Sequence, residues 1–271
     1  MIPFVRRAVL EDVPSIARLF AESFDSELHP FLTQAQHGAS RFMSLPFLYP
    51  HIYGHHKVYV VESSDRIAGY ADFRLMSAGQ GFLSYLAVAS WARGNGLASS
   101  LIREFLASEE VTSLSLDVFT SNVAANALYE KIGFSHGPVT TWATRKLPVA
   151  TFPEAIHAFS VQQAAFDAYG FSEFSTQSGA SSPERFGRIG RQVLRCFDLT
   201  TFEDDRLLAR VRASFPDMEI AFGTFHSETM PAVPHEAIVE SERRVLAVAP
   251  QAGTSGPRSK IKQRTQRHDK D

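Results

Sequence analysis

A strand that runs directly into a glycine-rich helix start is the feature that most constrains how this chain can fold. The segment is LSYLAVASWARGNGLASSLIREFL, residues 83–106. Its apolar first part is typical of a strand, and a helix with apolar residues on one side begins at Leu97. Between them, glycines let the backbone come close to a ligand, and the helix N-terminus adds partial positive charge. The segment therefore predicts a backbone cradle for an anion such as a pyrophosphate.

Two other phosphate-binding loops do not fit this segment. The chain has no G-x-x-x-x-G-K-[ST] sequence, which excludes the loop of nucleoside triphosphatases. The run also does not match G-x-G-x-x-G in a first βαβ unit, which argues against a dinucleotide-binding fold. A plain strand-to-helix turn would explain one glycine, but not an arginine followed by two glycines between two regular elements.

Strand and helix patterns alternate around the loop, which predicts an α/β fold with a mixed β-sheet flanked by helices. The strand-like patterns span residues 4–8, 57–62, 66–75, 82–89 and 113–119. Helical spacing of apolar residues begins after Asp12, again at Leu97, and over 123–132, where Gly133 is a natural C-cap. The segment 26–56 is rich in Phe, Pro and His and has no clean period.

Composition restricts the class of protein. Of the 271 residues, 44% are hydrophobic and 21% are charged, which is typical of a soluble globular protein and excludes a fibrous or membrane-embedded chain. The net charge of −2 gives no overall field that would favour nucleic acid. Cys196 is the only cysteine, so an internal disulfide is excluded and a reducing, cytoplasmic setting is expected. We expect no export signal and no membrane span.

Two motifs in this order resemble the GNAT superfamily of acetyl-CoA-dependent N-acetyltransferases. The pyrophosphate loop of that family is Arg/Gln-x-x-Gly-x-Gly/Ala, which Arg93, Gly96 and Ala98 match. The segment SNVAANALYEKIGF, residues 121–134, is similar to the family's Asn-x-x-Ala-x-x-x-Tyr-x-x-x-Gly-Phe motif. Its matching residues are Asn122, Ala125, Tyr129, Gly133 and Phe134. The resemblance covers roughly residues 4–147 and implies the family's mixed sheet.

The resemblance implies a role for each matched residue. Acetyl-CoA would be the cosubstrate, with no metal. The backbone of Leu86, Ala87 and Val88 would bind the pantetheine and polarise the acetyl carbonyl. Amides of the loop would hold the pyrophosphate, Asn122 and Ala125 would contact the pantetheine, and Tyr129 would protonate the departing thiolate. The implied loop residues are Arg93, Gly94, Asn95, Gly96, Leu97 and Ala98.

The general base is not marked by the motifs. Many relatives carry a Glu on the fourth strand, but residues 82–86 contain none. Asp72, on the preceding strand, is the nearest acid that would face the substrate cleft, and ordered water is an alternative route for the proton. In this family the region before the second strand shapes the acceptor pocket. The aromatic candidates for that pocket are Phe31, Phe42, Phe47, Tyr49 and Tyr85.

The histidines of the same region do not predict a metal site. His51 and His55 have a spacing that would suit a metal ion on a helix, but Pro50 and Gly54 argue against a helix there. We interpret this histidine-rich stretch, which also contains His56, as an exposed loop on the substrate side.

The rest of the chain predicts a second, smaller α/β or α+β domain. We place a GNAT-like domain at residues 1–148, an uncharacterised domain at 149–249 and a disordered tail at 250–271. The tail has six basic and two acidic residues and almost no apolar content. The sequence around Tyr169-Gly170-Phe171 faintly echoes the end of the second motif, so a degenerate GNAT-like half and a domain that completes the substrate pocket both stay open.

Two classes of function remain from the sequence. In the first, the chain transfers an acetyl group from acetyl-CoA to a primary amine, with a small molecule favoured over a protein N-terminus or lysine. In the second, it is an acyl-CoA-binding or regulatory module whose catalysis is weak or lost. The Asn122 and Tyr129 pair favours the enzyme, and the missing strand Glu keeps the second class open. No nucleic-acid or membrane partner is expected, and a homodimer is one option.

Overall fold

The computed structural model describes residues 4–64, 66–149, 160–176 and 183–249. Its strands are β1 Phe4–Arg7, β2 His56–Ser63, β3 Arg66–Leu75, β4 Gln80–Val88, β5 Ser113–Phe119, β6 Ser135–Lys146, β7 Phe171–Thr176, β8 Glu184–Ile189, β9 Val193–Cys196, β10 Ile220–His226 and β11 Glu236–Ala247. Its helices are α1 Val13–Ser23, α2 Ala39–Met43, α3 Leu45–Leu48, α4 Pro50–Tyr53, α5 Leu97–Ser108, α6 Val123–Ile132, α7 Ser160–Tyr169, α8 Leu199–Glu203 and α9 Asp205–Ser214.

All the strands belong to one mixed sheet. Their order is β1-β2-β3-β4-β5-β11-β6-β10-β9-β8-β7, and this sheet contains 11 strands. The neighbours β4 and β5 run parallel, as do β9 and β10, while the other neighbouring pairs run antiparallel. The alternation of strands and helices predicted from the sequence is confirmed over the first half of this sheet.

The two halves of the sheet repeat one order of elements. In the first half, the antiparallel strands β2, β3 and β4 lead into α5, and β5 then pairs parallel to β4. In the second half, β7, β8 and β9 lead into α8 and α9, and β10 then pairs parallel to β9. Parallel neighbours need such a crossover, and a helix usually provides it.

The two halves also exchange their next strands. The strand beside β5 is β11, from the end of the described chain, and the strand beside β10 is β6, from before residue 148. The long strands β11 and β6 then pair with each other at the centre of the sheet. The division at residue 148 stays a prediction about folding units, and the sheet runs across it.

The core of the first half lies on both faces of its strands. On one face, Phe105 of α5 stacks on Phe73 of β3 with ring centroids 4.0 Å apart, and Ile102 is fully buried beside them. On the other face, α1 buries Ile16 and Phe20. Fully burying such side chains stabilises a fold by about 1.5–3 kcal/mol each.

A second cluster of buried side chains fills the other half of the sheet. It includes Phe186, Phe202 and Leu208, which are fully buried between β8, α8 and α9. Phe31, from the segment after α1, packs on Phe222 of β10 with centroids 4.9 Å apart and joins the two halves.

The predicted tail at 250–271 lies outside the described residues. Among the described helices, none is long and apolar enough to cross a membrane.

Candidate functional site

A gap opens in the sheet between β4 and β5. The two strands pair only from Gln80 opposite Ser113 to Leu83 opposite Leu116. Beyond that point β4 continues to Val88 and β5 to Phe119, without pairing to each other. A register shift in β4, between Leu83 and Tyr85 opposite β3, occurs where the strands part. Such an irregularity bends a strand and redirects its edge.

Backbone groups of β4 face this gap. The N–H of Ala89 donates to the Ala68 carbonyl at 2.8 Å, which fixes the side of the strand that bonds to β3. Because backbone groups alternate along a strand, those of Leu86 and Val88 point away from β3 and those of Ala87 point toward it. In agreement, the Val88 carbonyl accepts from Nε of Arg93 at 3.1 Å. Two of the three predicted strand residues thus present amides to the gap.

The glycine loop lies at the end of β4 with its outer side open. Gly94 and Gly96 have φ of +80° and +72°, and a Cβ at either would meet nothing within 4 Å. Gly96 is the N-cap of α5, so no side chain caps the helix. The Asn95 side chain turns inward and donates to the carbonyls of Ala92 at 3.1 Å and Arg93 at 3.2 Å. The loop therefore exposes backbone amides and a positive helix end to solvent, which suits a phosphate group.

The second motif forms the start and middle of α6. Asn122 is the N-cap, and its Oδ1 accepts from the Ala125 N–H at 3.1 Å, which leaves its amide nitrogen for another partner. Tyr129 is 7% exposed and packs edge-on against Phe134, with centroids 5.4 Å apart. Burial raises the pKa of Tyr129 to about 12, so its hydroxyl stays protonated at neutral pH.

Asn126, which the sequence analysis did not single out, ties α6 to the end of β5. Its side-chain nitrogen donates to the carbonyls of Phe119 at 3.1 Å, Thr120 at 3.3 Å and Asn122 at 3.0 Å. Its Oδ1 accepts from the guanidinium of Arg244 on β11 at 3.0 Å. An asparagine one turn after an N-cap was not a signal in the sequence, since its partners come from other elements.

A pocket lies between the sheet and the segment that carries α1 to α4. Its apolar wall is made of Val13, Ile16, Phe42, Met43, Leu45, Pro46, Phe47 and Val58, and its polar lining of Gln34, Tyr53, His56, Tyr70, Asp72, Arg74 and Tyr85. Asp72 and Tyr85 lie opposite each other on β3 and β4. The pocket therefore adjoins the part of β4 that faces the gap.

The predicted base Asp72 lies in this pocket beside a histidine. Nδ1 of His56 is 3.3 Å from Oδ1 of Asp72, and the two side chains are 13% and 17% exposed. His56 is the first residue of β2. Val58, two residues further along the same strand, pairs with Asp72 of β3. The interpretation of His56 as part of an exposed loop is therefore wrong, because the strand begins one residue earlier than predicted.

The predicted substrate aromatics divide into two groups. Phe42 and Phe47 line the pocket, and so does Tyr85, whose hydroxyl donates to Oε1 of Gln34 at 2.7 Å. Burial raises the pKa of Tyr85 to about 12, which keeps this hydroxyl a donor. Phe31 and Tyr49 lie outside the lining: Phe31 packs on β10, and Tyr49 is 46% exposed.

Metal ligands are not clustered in the described part of the chain. Over those residues, no three His, Cys, Asp or Glu side chains come together in a way that would hold a metal ion. The ring of His55 instead lies 4.6 Å from that of His56.

Comparison with known proteins identifies the first half of the chain. Residues 15–134 match the profile of the family described as Acetyltransferase (GNAT) family, and this range contains both motifs, the gap and the pocket-lining strands. Residues 15–134 are a GNAT acetyltransferase domain. The predicted resemblance and the predicted fold class are both confirmed.

Solved structures show that the fold extends over nearly the whole chain. A putative acetyltransferase from Thermoplasma acidophilum has a TM-score of 0.55 and 15% identity, covering 90% of this chain and 100% of its own. A GCN5-related N-acetyltransferase from Sphaerobacter thermophilus has a TM-score of 0.56 and 13% identity, covering 92% and 96%. A putative acetyltransferase from Pyrococcus horikoshii has a TM-score of 0.55 and 12% identity, covering 92% and 90%.

At these identities the likeness concerns the fold alone. Other chains of similar length therefore share the overall fold of nearly the whole chain. None of the curated proteins compared with this chain matches it.

Proposed function

We propose that the protein transfers an acetyl group from acetyl-CoA to the primary amine of a small molecule bound in the pocket. The proposal rests on two sets of exposed backbone amides that lie next to each other, one on β4 and one at the start of α5. The amides of Leu86 and Val88 face the gap between β4 and β5, and the uncapped N-terminus of α5 follows directly after β4. Acetyl-CoA needs both, since it has a thioester at one end and a pyrophosphate further along.

The residues present fit acetyl-CoA at both ends. Around the pyrophosphate, the open space over Gly94 and Gly96 would let phosphate oxygens reach the amides of the loop through Leu97 and Ala98. Arg93 would add its charge beside them. Along the pantetheine, the free amide nitrogen of Asn122 and the surface of Ala125 would line the other side of the gap.

The chain's own groups would then act on the thioester. Acetyl-CoA supplies an acyl carbon bound to a thiolate leaving group. An amide N–H from β4 would polarise the acetyl carbonyl, as in other oxyanion sites. Tyr129 holds its proton at neutral pH and would donate it to the departing sulfur. The amine would attack directly, without a covalent enzyme intermediate.

Deprotonation of the amine would fall to the Asp72 and His56 pair. Both side chains line the pocket. Among the described residues, each of them has the other as its ion-pair partner and makes no second ion pair. A carboxylate 3.3 Å from an imidazole can accept a proton directly or through a water molecule. This pair takes the place of the strand Glu that residues 82–86 lack.

The pocket favours a small acceptor over a protein. Its apolar wall comes from Phe42 and Phe47 together with neighbouring residues of α2 and α3, which close one side over the sheet. Phe42 is itself packed on Phe171 of β7, with centroids 4.8 Å apart, so the second half supports this wall. A protein N-terminus or lysine, and an acyl-CoA-binding module without turnover, are the alternatives that the test below separates.

We further propose that the second half is a degenerate GNAT-like half that binds no CoA. By its place in the repeated order, the turn after β9 corresponds to the glycine loop after β4. That turn holds Asp198, the N-cap of α8, whose Oδ1 accepts from the Thr201 N–H at 2.8 Å. Burial alone would raise the pKa of Asp198, but hydrogen bonds from Thr200 and Thr201 lower it. A carboxylate therefore already occupies the positive helix end.

A pair of glycine variants tests the CoA site. In Gly96→Glu, a side chain and a negative charge enter the open cradle. Gly79→Glu is the matched control, because Gly79 also has a positive φ, +71°, but lies in the turn between β3 and β4. A thermal shift with CoA, about 2.7 kcal/mol of added stability at 100 times the Kd, should persist in Gly79→Glu and vanish in Gly96→Glu. Wild-type protein without any shift contradicts the assignment.

An acceptor screen tests the transfer itself. Wild-type protein is given acetyl-CoA with libraries of small amines and with peptides, and thiol release is recorded. Turnover with small amines supports the proposal, and turnover with peptides alone supports a protein acceptor. A CoA shift without turnover of any amine supports the binding module.

A further inference from the structure

Three polar side chains of β3 lie on one face of the strand and line the pocket. They are Tyr70, Asp72 and Arg74, at alternate positions, which point to the same side of a sheet. The apolar wall of α2 and α3 lies across the pocket from them. An acceptor in the pocket would therefore meet a polar stripe on one side and an apolar surface on the other.

Two members of this stripe have donors without a partner. Tyr70 is 2% exposed, and its hydroxyl has no hydrogen-bond partner among the described residues. The Nε of Arg74 is buried and unpartnered, and over the described part of the chain Arg74 makes no ion pair. Leaving a buried donor unsatisfied is costly, and such groups are usually bonded. Unpaired donors that line a pocket indicate a ligand with an anionic acceptor.

The third member carries the opposite charge. Asp72 is held beside His56, and a carboxylate at this position suits a cationic amine. Arg74 lies two residues further along β3, opposite His56 and Phe82 of the neighbouring strands. The stripe thus offers one negative and one positive group on the same face of β3, with one residue between them. A ligand that carries both an ammonium and a carboxylate would find a partner for each.

We propose that the acceptor is an amino acid with an apolar side chain, or a closely related amino carboxylate. This rests on the proposed acetyl transfer. The carboxylate binds Arg74 and the Tyr70 hydroxyl, the ammonium faces Asp72 and His56, and the side chain lies against Phe42 and its neighbours. An arginine suits the first contact because its planar fork matches a carboxylate.

The reaction balances with the groups present. The ammonium gives one proton to the Asp72 and His56 pair, and the free amine forms a bond to the acetyl carbon as the carbon–sulfur bond breaks. The sulfur takes the Tyr129 proton, and the second proton of the nitrogen is released. The proton held by the Asp72 and His56 pair then returns to Tyr129 through solvent, which restores the enzyme. The products are an N-acetylated amino acid, CoA and one proton, with no oxidant or reductant.

Matched acceptors test the carboxylate site. Phenylalanine is compared with 2-phenylethylamine, and leucine with 3-methylbutylamine, so each pair differs only in the carboxylate. Losing a hydrogen bond to a charged group costs about 1.5–3 kcal/mol, which is about 10- to 100-fold in kcat/KM. We expect the amino acids to be better by this factor. Equal or better turnover of the carboxylate-free amines overturns the proposal while leaving acetyl transfer intact.

Variants of the stripe locate the effect. Arg74→Met and Tyr70→Phe should each raise KM for the amino acids about 10-fold or more relative to the effect of the same variant on KM for the matched carboxylate-free amines. Arg74→Lys should restore part of the loss. Arg66→Met is the control on the same strand, because the Arg66 guanidinium stacks on Trp91, 4.5 Å away, outside the pocket. Equal losses with both kinds of acceptor in Arg74→Met and Tyr70→Phe would overturn the carboxylate contact.

Binding decides the matter even without turnover. Calorimetry on the full chain loaded with CoA measures the affinity for phenylalanine and for 2-phenylethylamine. Tighter binding of phenylalanine that is lost in Tyr70→Phe supports the site. No preference for phenylalanine overturns it, whereas absence of a CoA shift and of any turnover would overturn the proposed function instead.

Discussion

Tyr129 combines a buried aromatic ring with a hydroxyl group that can donate a proton. Its ring packs edge-on against Phe134, and this contact involves the ring rather than the hydroxyl. These observations separate its two roles, since the ring stabilises α6 against the core and the oxygen is not needed for that packing. The phenol stays neutral far above physiological pH, because burial raises its pKa to about 12. A general acid must hold its proton until the leaving group needs it.

Tyr129→Phe separates the acid from the packing. We expect kcat to fall by about 10²–10⁴-fold, the usual loss of a general acid, while the thermal shift with CoA changes little. Steady-state kinetics with an accepted amine gives the kcat, and calorimetry gives the CoA affinity. A variant with full turnover would show that Tyr129 acts only in the core.

Because of Cys196 and the buried tyrosines, the free energy of unfolding should depend on pH in the alkaline range. Burial raises the pKa of Cys196 to about 12 from an ordinary 9.0, and those of Tyr85 and Tyr129 to about 12 from 10.0. The unfolded chain therefore loses these protons first. Their contribution is fully present below pH 9 and is lost as pH rises toward 12.

The measurement is the free energy of unfolding in urea at a series of pH values from 8 to 11. We expect it to fall from about pH 9 onward. Cys196→Ala should be less stable at every pH, but should lose less stability between pH 9 and 10, because the thiol is the first group of this set to titrate in the unfolded chain. An identical slope in both proteins would mean that the thiol is not buried as described.

At the scale of elements, α6 is held in place by β11. Arg244 of β11 is 2% exposed and lies between Asn126 of α6, His136 of β6 and Glu242 of its own strand. Asn126 in turn bonds the end of β5 beside the gap. The position of the Tyr129 helix therefore depends on a strand from the other end of the chain.

Arg244→Met should show this dependence. The methionine keeps an apolar stem, but Oδ1 of Asn126 loses its donor and Glu242 keeps only His136, 2.8 Å away. Breaking a buried ion pair usually costs about 3–5 kcal/mol. Arg243→Met is the neighbouring control, because Arg243 and its partner Asp117 are 46% and 41% exposed, where a pair is worth about 0–1 kcal/mol. Urea unfolding of the two variants gives the comparison. Equal stability of both would mean that the Arg244 cluster does not fix α6.

The sequence predicted the elements whose patterns are local. The glycine loop, α5 and α6 carry their own signals, since the loop glycines adopt the expected positive φ and Asn122 caps its helix. The strands β6 and β11 carry none. The first contains Gly137 and Pro138, and the second is rich in charge, so neither has the alternation of a half-buried strand.

The pocket shows the same division between local and distant information. The strand pattern was enough to predict Asp72 as a candidate base. Its partner His56 could not be predicted, because its position depends on the residue at which β2 begins. Tyr70 and Arg74 became candidates only through the lack of partners around them, which no spacing in the sequence encodes. The sequence does not predict the role of a side chain when that role depends on a contact with a distant element.

The whole molecule is tied together by its exchanged strands. The sequence alone predicts that residues 1–148 bind CoA without the rest. The strand order gives a different expectation, because β11 lies between β5 and β6 in the GNAT half. Without residues 149–249, β5 would lose its neighbour on one edge, and α6 would lose Arg244.

Two shortened chains decide between these expectations. Residues 1–148 alone should lose the CoA shift or fail to fold. A second chain joins Lys146 through a short glycine-containing turn to residues 235–249, because β6 and β11 are antiparallel and Thr144 pairs with Glu236. This hairpin should restore the CoA shift while removing most acetyl transfer, since Phe42 would lose its support from Phe171. Deleting only 250–271 should change neither. Full CoA binding by residues 1–148 would show that β11 is dispensable, and full transfer by the hairpin chain would show that the second half does not shape the acceptor pocket.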